Sequence, residues 1–173
     1  MTKPILLIPL CGNALIQKGQ VGTIEEQFAN LKVPMAQIAR LSRNYRIIVT
    51  HGNGPQVGNI LMRNDAGESV YGIPQMPLDI CVADSQGGIG YMIERMLRNV
   101  LQMHGIDKEV VTLVTMVLVQ EKDPACDNPS KRIGKIYSRE EAERISSEKG
   151  WTFKESAKRS GGYRRVVPSP TPI

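Results

Sequence analysis

The sequence predicts an α/β fold built on a mostly parallel sheet. Short apolar runs alternate with stretches of helical periodicity, an order typical of βαβ units. Two of the apolar runs, LLIPLCGNAL at residues 6–15 and IIVTHGNGPQ at residues 47–56, end in small, permissive Gly/Asn corners. In parallel sheets, ligands bind beyond the carboxyl ends of the strands. Both corners follow such ends, so we expect them to face the same crevice.

The composition is ordinary for a globular protein and gives no sign of a nucleic-acid-binding, metal-binding or membrane-spanning protein. The chain has 173 residues, 41% of them hydrophobic and 23% charged, with a formal net charge of +5. A nucleic-acid binder usually has a denser basic face. The modest positive charge also suits an enzyme with phosphorylated substrates, so charge alone does not decide the question. The three cysteines and two histidines form no metal-ligand pattern. The N-terminal apolar run turns polar too soon for a membrane span, so we expect a cytoplasmic protein without nucleic-acid or membrane partners.

The first elements form one βαβ unit. Residues 4–10 are an apolar run with no helical period, which predicts a buried strand. A Thr/Glu capping box then opens an amphipathic helix over about 24–42. Pro34 lies inside it and is expected to kink it or remove a hydrogen bond. The run YRIIVT, residues 45–50, is the second predicted strand.

Two further helices are predicted after the second corner. Asn53 can cap a helix entered through Gly54 and Pro55, since proline is tolerated in the first turn. This helix is expected to reach about Asn64. The Gly- and Pro-rich stretch GESVYGIPQMP predicts a loop. The clearest helical period covers residues 84–104.

The last third of the chain has a different texture. Residues 109–120 are a dense β-branched run that predicts one long strand or two. A polar loop is predicted over 121–134, and a Ser/Glu capping box opens a short helix ending near Gly150. The runs WTFK and YRRVV flank SGG and predict a small hairpin. The basic residues within 154–165 are expected on its solvated face, and 168–173 form a Pro-rich tail.

The two corners are candidate anion sites. A strand that stops at a Gly/Asn turn before a helix leaves backbone N–H groups directed at open space, a common way to hold an anion. The alternative at residues 11–14 is a tight turn with no ligand. The alternative at residues 52–54 is an ordinary helix cap.

Four ordered motifs identify a family resemblance. CGNAL, HGNGPQVG, PLDICVADSQGGIGY and the run from NPSKRIG to RRVVPSP together resemble the first half of carbamate kinases, members of the amino acid kinase fold. The similarity extends from about Ile5 to Pro170. It implies a three-layer α/β/α sandwich with a small protruding subdomain. The implied division is a substrate-binding core over 1–120, the subdomain over 121–167, and a tail over 168–173 that leads to the family's nucleotide-binding half.

The resemblance also implies a reaction. Carbamate kinases transfer a phosphoryl group between ATP and carbamate, or back from carbamoyl phosphate to ADP, with Mg²⁺. Such a transfer requires in-line positioning and neutralisation of oxygen charge. Carbamate or carbamoyl phosphate would bind this chain. ATP, ADP and Mg²⁺ are expected to need the family's second half and not to bind tightly to this chain alone. A homodimer is also expected.

Three residues are implied to be catalytic. Gly12 and Asn13 would cradle the transferring phosphoryl group. Lys131 would close over the substrate phosphate from the protruding subdomain, because it matches the last position of the family's Asn-Pro-Thr-Lys motif, with Ser130 replacing threonine. The residues implied to bind substrate are Cys11, Gly52, Asn53, Gly54, Ser85 and Gln86.

Alternatives stay open at several of these positions. The family usually has glycine where this chain has Cys11, which would be costly if the backbone there requires a positive φ and harmless if it is extended. The small residues around Ser85 could simply allow close helix packing. The alternative function is a truncated, non-catalytic homologue that binds a small anion or only dimerises.

Overall fold

The computed structural model describes residues 2–156 and 162–173. The chain divides into two compact units. Unit 1 comprises Met1–Pro55 and Val82–Val114, and unit 2 comprises Gln56–Cys81 and Thr115–Ile173.

The sheet of unit 1 is a parallel pair of strands. Strand β1, Ile5–Leu10, pairs in parallel with β2, Arg46–His51, from Ile5↔Arg46 to Leu10↔His51. Both strands lie within one residue of their predicted bounds. Since parallel strands need a crossover connection, the chain between them folds into a helix.

Helix α1, Ile24–Leu41, supplies this crossover. It begins with the predicted capping box, in which the Thr23 side chain accepts from the Glu26 N–H and the Glu26 carboxylate accepts from the Thr23 N–H. The helix does not end at Pro34, which lies in its interior. Its apolar face enters the core of unit 1, which contains Leu10, Leu15, Leu31, Met35, Ile38, Ala39, Ile89, Met92, Ile93, Leu97 and Leu101.

Helices α2 and α3 are longer than the sequence predicts. Helix α2 spans Gly54–Tyr71 and α3 spans Leu78–Met103, so the predicted loop shrinks to 72–77. Gly67 is accommodated inside α2. The helix ends before Gly72, whose φ of +65° is the left-handed conformation that closes many helices. Helix α3 starts directly after a proline, a residue compatible with a helix N-terminus.

The predicted strand at 109–120 is wrong. Within the described part of the chain this segment has no strand, and its one β-bridge joins Val119 to Pro172. Its backbone is tied instead to α3, where Arg98 donates to the Val110 carbonyl at 2.7 Å. Most of its apolar side chains are exposed, and Met116 is 99% exposed. An apolar run can form a strand only where a neighbouring strand pairs with it.

Unit 2 contains an antiparallel sheet. Strands β3 (Lys131–Tyr137), β4 (Thr152–Ser156) and β5 (Gly162–Val167) are arranged in the order β3-β5-β4. The antiparallel β4–β5 pairing confirms the predicted hairpin strands. The hairpin residues Ser160 and Gly161, with Lys158 and Arg159 of the basic run, lie outside the described residues.

The predicted polar loop at 121–134 is only partly a loop. It contains a short helix α4, Pro124–Asp127, and the first residues of β3. Helix α5, Arg139–Lys149, follows the Ser138/Glu141 capping box and ends at Gly150 in the left-handed conformation, as predicted. None of the helices in the described residues is long and apolar enough to span a membrane.

Candidate anion site at the two glycine corners

The parallel register brings the two corners together in unit 1. Leu10 and His51, the last residues of β1 and β2, are register partners. Immediately beyond them, the Gly52 N–H donates to the Leu10 carbonyl at 3.1 Å. A Cβ added to Gly52 would lie 3.9 Å from the Gly12 nitrogen. The structure therefore places both corners at one edge of the sheet.

The first corner is a tight turn entered through extended backbone. Residues Gly12–Ala14, which include Asn13, form a single 3₁₀ turn. The Cys11 carbonyl accepts from the Ala14 N–H at 2.9 Å. Cys11 has φ −73° and ψ 165°, a conformation open to any residue, and its side chain is exposed. The cysteine therefore causes no backbone strain where the family pattern has glycine.

The second corner leads into α2. Asn53 follows Gly52 and precedes the first helical residue, Gly54. The Asn53 side-chain nitrogen Nδ2 donates to Ser85 Oγ at 2.8 Å. Ser85, on α3, is only 2% exposed. Ser85 therefore holds the Asn53 side chain through this hydrogen bond, and its own hydroxyl is not exposed at the surface.

The corner glycines leave unoccupied space. Six glycines of the described residues have a positive φ, and Gly12, Gly52 and Gly54 are not among them. A Cβ added to Gly12 or Gly54 would meet no atom within 4 Å. Neither backbone conformation nor internal packing therefore requires glycine at these two positions. What glycine provides here is access to the main chain.

Two predicted site residues remain outside this cluster. Gln86 follows Ser85 on α3 and is half-buried. Lys131 is the exposed first residue of β3 in unit 2, paired in register with Val167, and therefore belongs to a strand rather than a loop. Its approach to the corners stays a prediction.

The described residues contain no cluster of metal-ligating side chains. In residues 2–156 and 162–173, no group of three or more His, Cys, Asp or Glu side chains could hold a metal ion. The donors at the corners are amide N–H groups, which suit an anion better than Mg²⁺.

Unit 2 contains a cavity that the sequence pattern did not reveal. It has a volume of about 630 Å³, and Asp65, Tyr137 and Trp151 are in its lining. The Arg165 guanidinium stacks on Trp151, 3.6 Å from the ring centroid. Arg165 is therefore half-buried and not on a solvated hairpin face as predicted.

Burial shifts the titration of two groups in this region. Desolvation lowers the pKa of the Arg165 guanidinium, although the Tyr137 and Asp65 charges oppose that shift. Desolvation raises the pKa of the Tyr137 phenol, and the Asp65 charge adds to it. In the sequence, only the single tryptophan could have indicated this stacking. The position of its partner, Arg165, depends on how β5 pairs in the sheet.

The chain is similar over nearly its whole length to carbamate kinases. It is 52% identical to the carbamate kinase of Pyrococcus horikoshii over 168 residues, which are 96% of this chain and 53% of that protein. A crystal structure from Aeropyrum pernix matches with a TM-score of 0.90 and 40% identity, covering 98% of this chain and 53% of the other. The Giardia lamblia carbamate kinase bound to AMP-PNP matches with a TM-score of 0.86 and 39% identity, covering 99% and 53%. No protein-family model matches.

The fold and the paired corners define an α/β protein of the carbamate kinase-like fold, which confirms the predicted fold class. The sequence then identifies the relation: the chain is a homologue of carbamate kinases and matches their N-terminal half. It spans about half the length of the curated relatives it matches.

Proposed function

We propose that this chain supplies the carbamate side of carbamate kinase-type phosphoryl transfer, ATP + carbamate ⇌ ADP + carbamoyl phosphate. The observation that carries the proposal is the pair of adjacent corners whose glycines Gly12 and Gly54 border open space without any conformational need for glycine. Backbone N–H groups that no side chain covers, at the carboxyl ends of parallel strands, are suited to bind a small anion.

Each corner has a distinct role in this proposal. The 3₁₀ turn with Gly12 and Asn13 cradles the transferring phosphoryl group through its backbone amides. Gly52, Asn53 and Gly54 hold the carbamoyl end, where the N-terminus of α2 favours negative charge. In the direction of ATP synthesis, an oxygen of the ADP β-phosphate attacks phosphorus. The bond from phosphorus to the carbamate oxygen breaks, and carbamate leaves with the electron pair.

Two further parts of the proposal come from the family relation. Lys131 approaches the phosphate and neutralises charge in the transition state. ATP and ADP are the co-substrates, consistent with the relative bound to AMP-PNP. We also propose a homodimer in the cytoplasm, and light scattering of the purified chain tests the dimer.

A second candidate is anion binding without turnover by this chain alone. It is favoured because every site residue assigned in unit 1 lies on the carbamate side. The test has two arms: ATP formation from ADP and carbamoyl phosphate, and the shift in thermal unfolding with carbamoyl phosphate. Stabilisation of about 2.7 kcal/mol at 100 times Kd is expected for a ligand that binds only the folded state. Stabilisation without ATP supports the second candidate, and a flat response contradicts both.

Glycine substitutions locate the binding. Gly12→Ala and Gly54→Ala place a methyl group in open space, so folding is preserved. If that space holds the ligand, we expect affinity for carbamoyl phosphate to fall about tenfold or more. Gly67→Ala is the matched control, since it lies on the same helix as Gly54 and its Cβ would make only ordinary contacts. Equal affinity in all three variants would remove the corners from the proposal.

A further inference from the structure

The Ser85 hydroxyl has two partners that fix its polarity. It donates to the Val82 carbonyl at 2.6 Å and receives the hydrogen bond from Asn53 Nδ2 at 2.8 Å. A hydroxyl carries one proton, so the bond to Val82 makes Ser85 an acceptor on its other side. Because the residue is buried, water cannot readily replace either partner.

The orientation of the Asn53 carboxamide follows from this polarity. Its NH₂ group must face Ser85, because the reversed amide would set two acceptor oxygens against each other. The carboxamide oxygen is the other branch of the same group and points away from Ser85. At a corner that already offers N–H donors, Asn53 thereby contributes an acceptor.

We propose that Ser85 is a positioning residue that makes Asn53 present its carboxamide oxygen to the ligand, so that the site selects acyl phosphates carrying an N–H donor. This inference rests on the proposed function, since it requires the ligand to lie at the corners. The amide of carbamoyl phosphate can donate to Asn53, whereas the methyl group of acetyl phosphate has the same size and cannot. A site built to receive an N–H group rejects an analogue without one, because the acceptor then faces the ligand without a hydrogen-bond partner.

The selectivity of the full chain tests the inference. Calorimetric titrations with carbamoyl phosphate, acetyl phosphate and inorganic phosphate give three affinities for each variant. We expect the wild-type chain to prefer carbamoyl phosphate to acetyl phosphate by about tenfold or more. Ser85→Ala frees the carboxamide of Asn53 to rotate. The ratio of the affinities for carbamoyl phosphate and acetyl phosphate should therefore fall towards one, while the affinity for inorganic phosphate is unchanged. Ser85→Thr keeps the hydroxyl and should keep the preference.

The outcomes separate this inference from the proposed function. If the wild-type chain binds carbamoyl and acetyl phosphate equally, the inference is overturned and the anion site stands. If it binds none of the three compounds, both the inference about Ser85 and the proposed function are contradicted. If Ser85→Ala keeps the full preference, or loses inorganic phosphate as well, Ser85 is not the positioning residue. Thermal unfolding of each variant without ligand shows whether the fold is intact.

Discussion

Strand β1 and the segment 109–120 have similar apolar sequences and different structures. Ile5–Leu10 pairs along its whole length with β2. The later segment forms one bridge, at Val119, within the described residues. The difference shows that an apolar, β-branched run indicates side chains that favour burial. A strand also requires a neighbouring strand that pairs with its backbone N–H and C=O groups.

The two regions differ equally in side-chain burial. Leu10, at the end of β1, contacts the core formed by α1 and α3. In the later segment, Val110 packs against this core, as does Ile106 just before the segment, and residues 111–120 are exposed. A run that is apolar on both sides is typical of strands covered on both faces. Such a segment is therefore compatible with burial in a larger sheet.

The largest effect we expect comes from the same substitution made in the core that covers β1 and in the exposed segment 109–120. Leu31→Ala removes a side chain that is fully buried in the core of unit 1. We expect the free energy of unfolding to fall by about 2–5 kcal/mol, because burial is lost and a cavity remains. Leu113→Ala removes a side chain that is 75% exposed. The expected change there is within about 0.5 kcal/mol. Urea unfolding measures both.

Equal losses in the two variants would break the comparison. A large loss for Leu113→Ala at all protein concentrations would mean that the segment is packed in the folded monomer. A loss that grows with concentration would instead indicate that a second copy covers it, since association stabilises by mass action.

An intermediate effect is expected where the exposed segment touches α3. A Cβ on Gly90 would overlap the methyl group of Thr112, whereas a Cβ on Gly88 would meet open space. We expect Gly90→Ala to destabilise by about 1–3 kcal/mol through overpacking. Gly88→Ala should be neutral or stabilise by about 0.5–1 kcal/mol, because alanine favours the helix.

A second substitution controls this result. Thr112→Ser removes the overlapping methyl group, so it should recover part of the loss in the Gly90→Ala background. Unfolding by urea gives the coupling between the two positions. Independent effects of Gly90 and Thr112 would show that the segment is not anchored at this point.

The sequence predicted the elements that local signals determine. Thr23 and Ser138 start their helices as predicted, and Gly150 ends one, because capping depends on a few neighbouring residues. The length of α2 and the pairing of β3 were not predictable in this way. Gly67 is tolerated within α2, and β3 exists because β5 pairs with it. Both depend on tertiary neighbours that no local window contains.

The sequence also predicted the position of the candidate site but not its internal arrangement. The Gly/Asn corners could be placed at the carboxyl ends of strands from the order of elements alone. The burial of Ser85 beneath Asn53 could not, because thirty-two residues separate them along the chain. The stacking of Arg165 on Trp151 likewise depends on how β5 lies in its sheet.

The smallest effect is expected at the cysteine of the first corner. Cys11→Gly restores the family pattern, but the extended backbone of Cys11 does not need glycine. We expect the free energy of unfolding to fall by about 0.5–1 kcal/mol, because glycine gains more freedom in the unfolded chain. Affinity for carbamoyl phosphate, measured by calorimetry, should stay within about twofold because the exposed side chain leaves the adjacent main chain accessible. A rise of about tenfold in Cys11→Gly would mean that the thiol occupies the space offered by Gly12 and Gly54. Cys11 would then weaken ligand binding at this corner, in contrast to the glycine that the family usually has at this position.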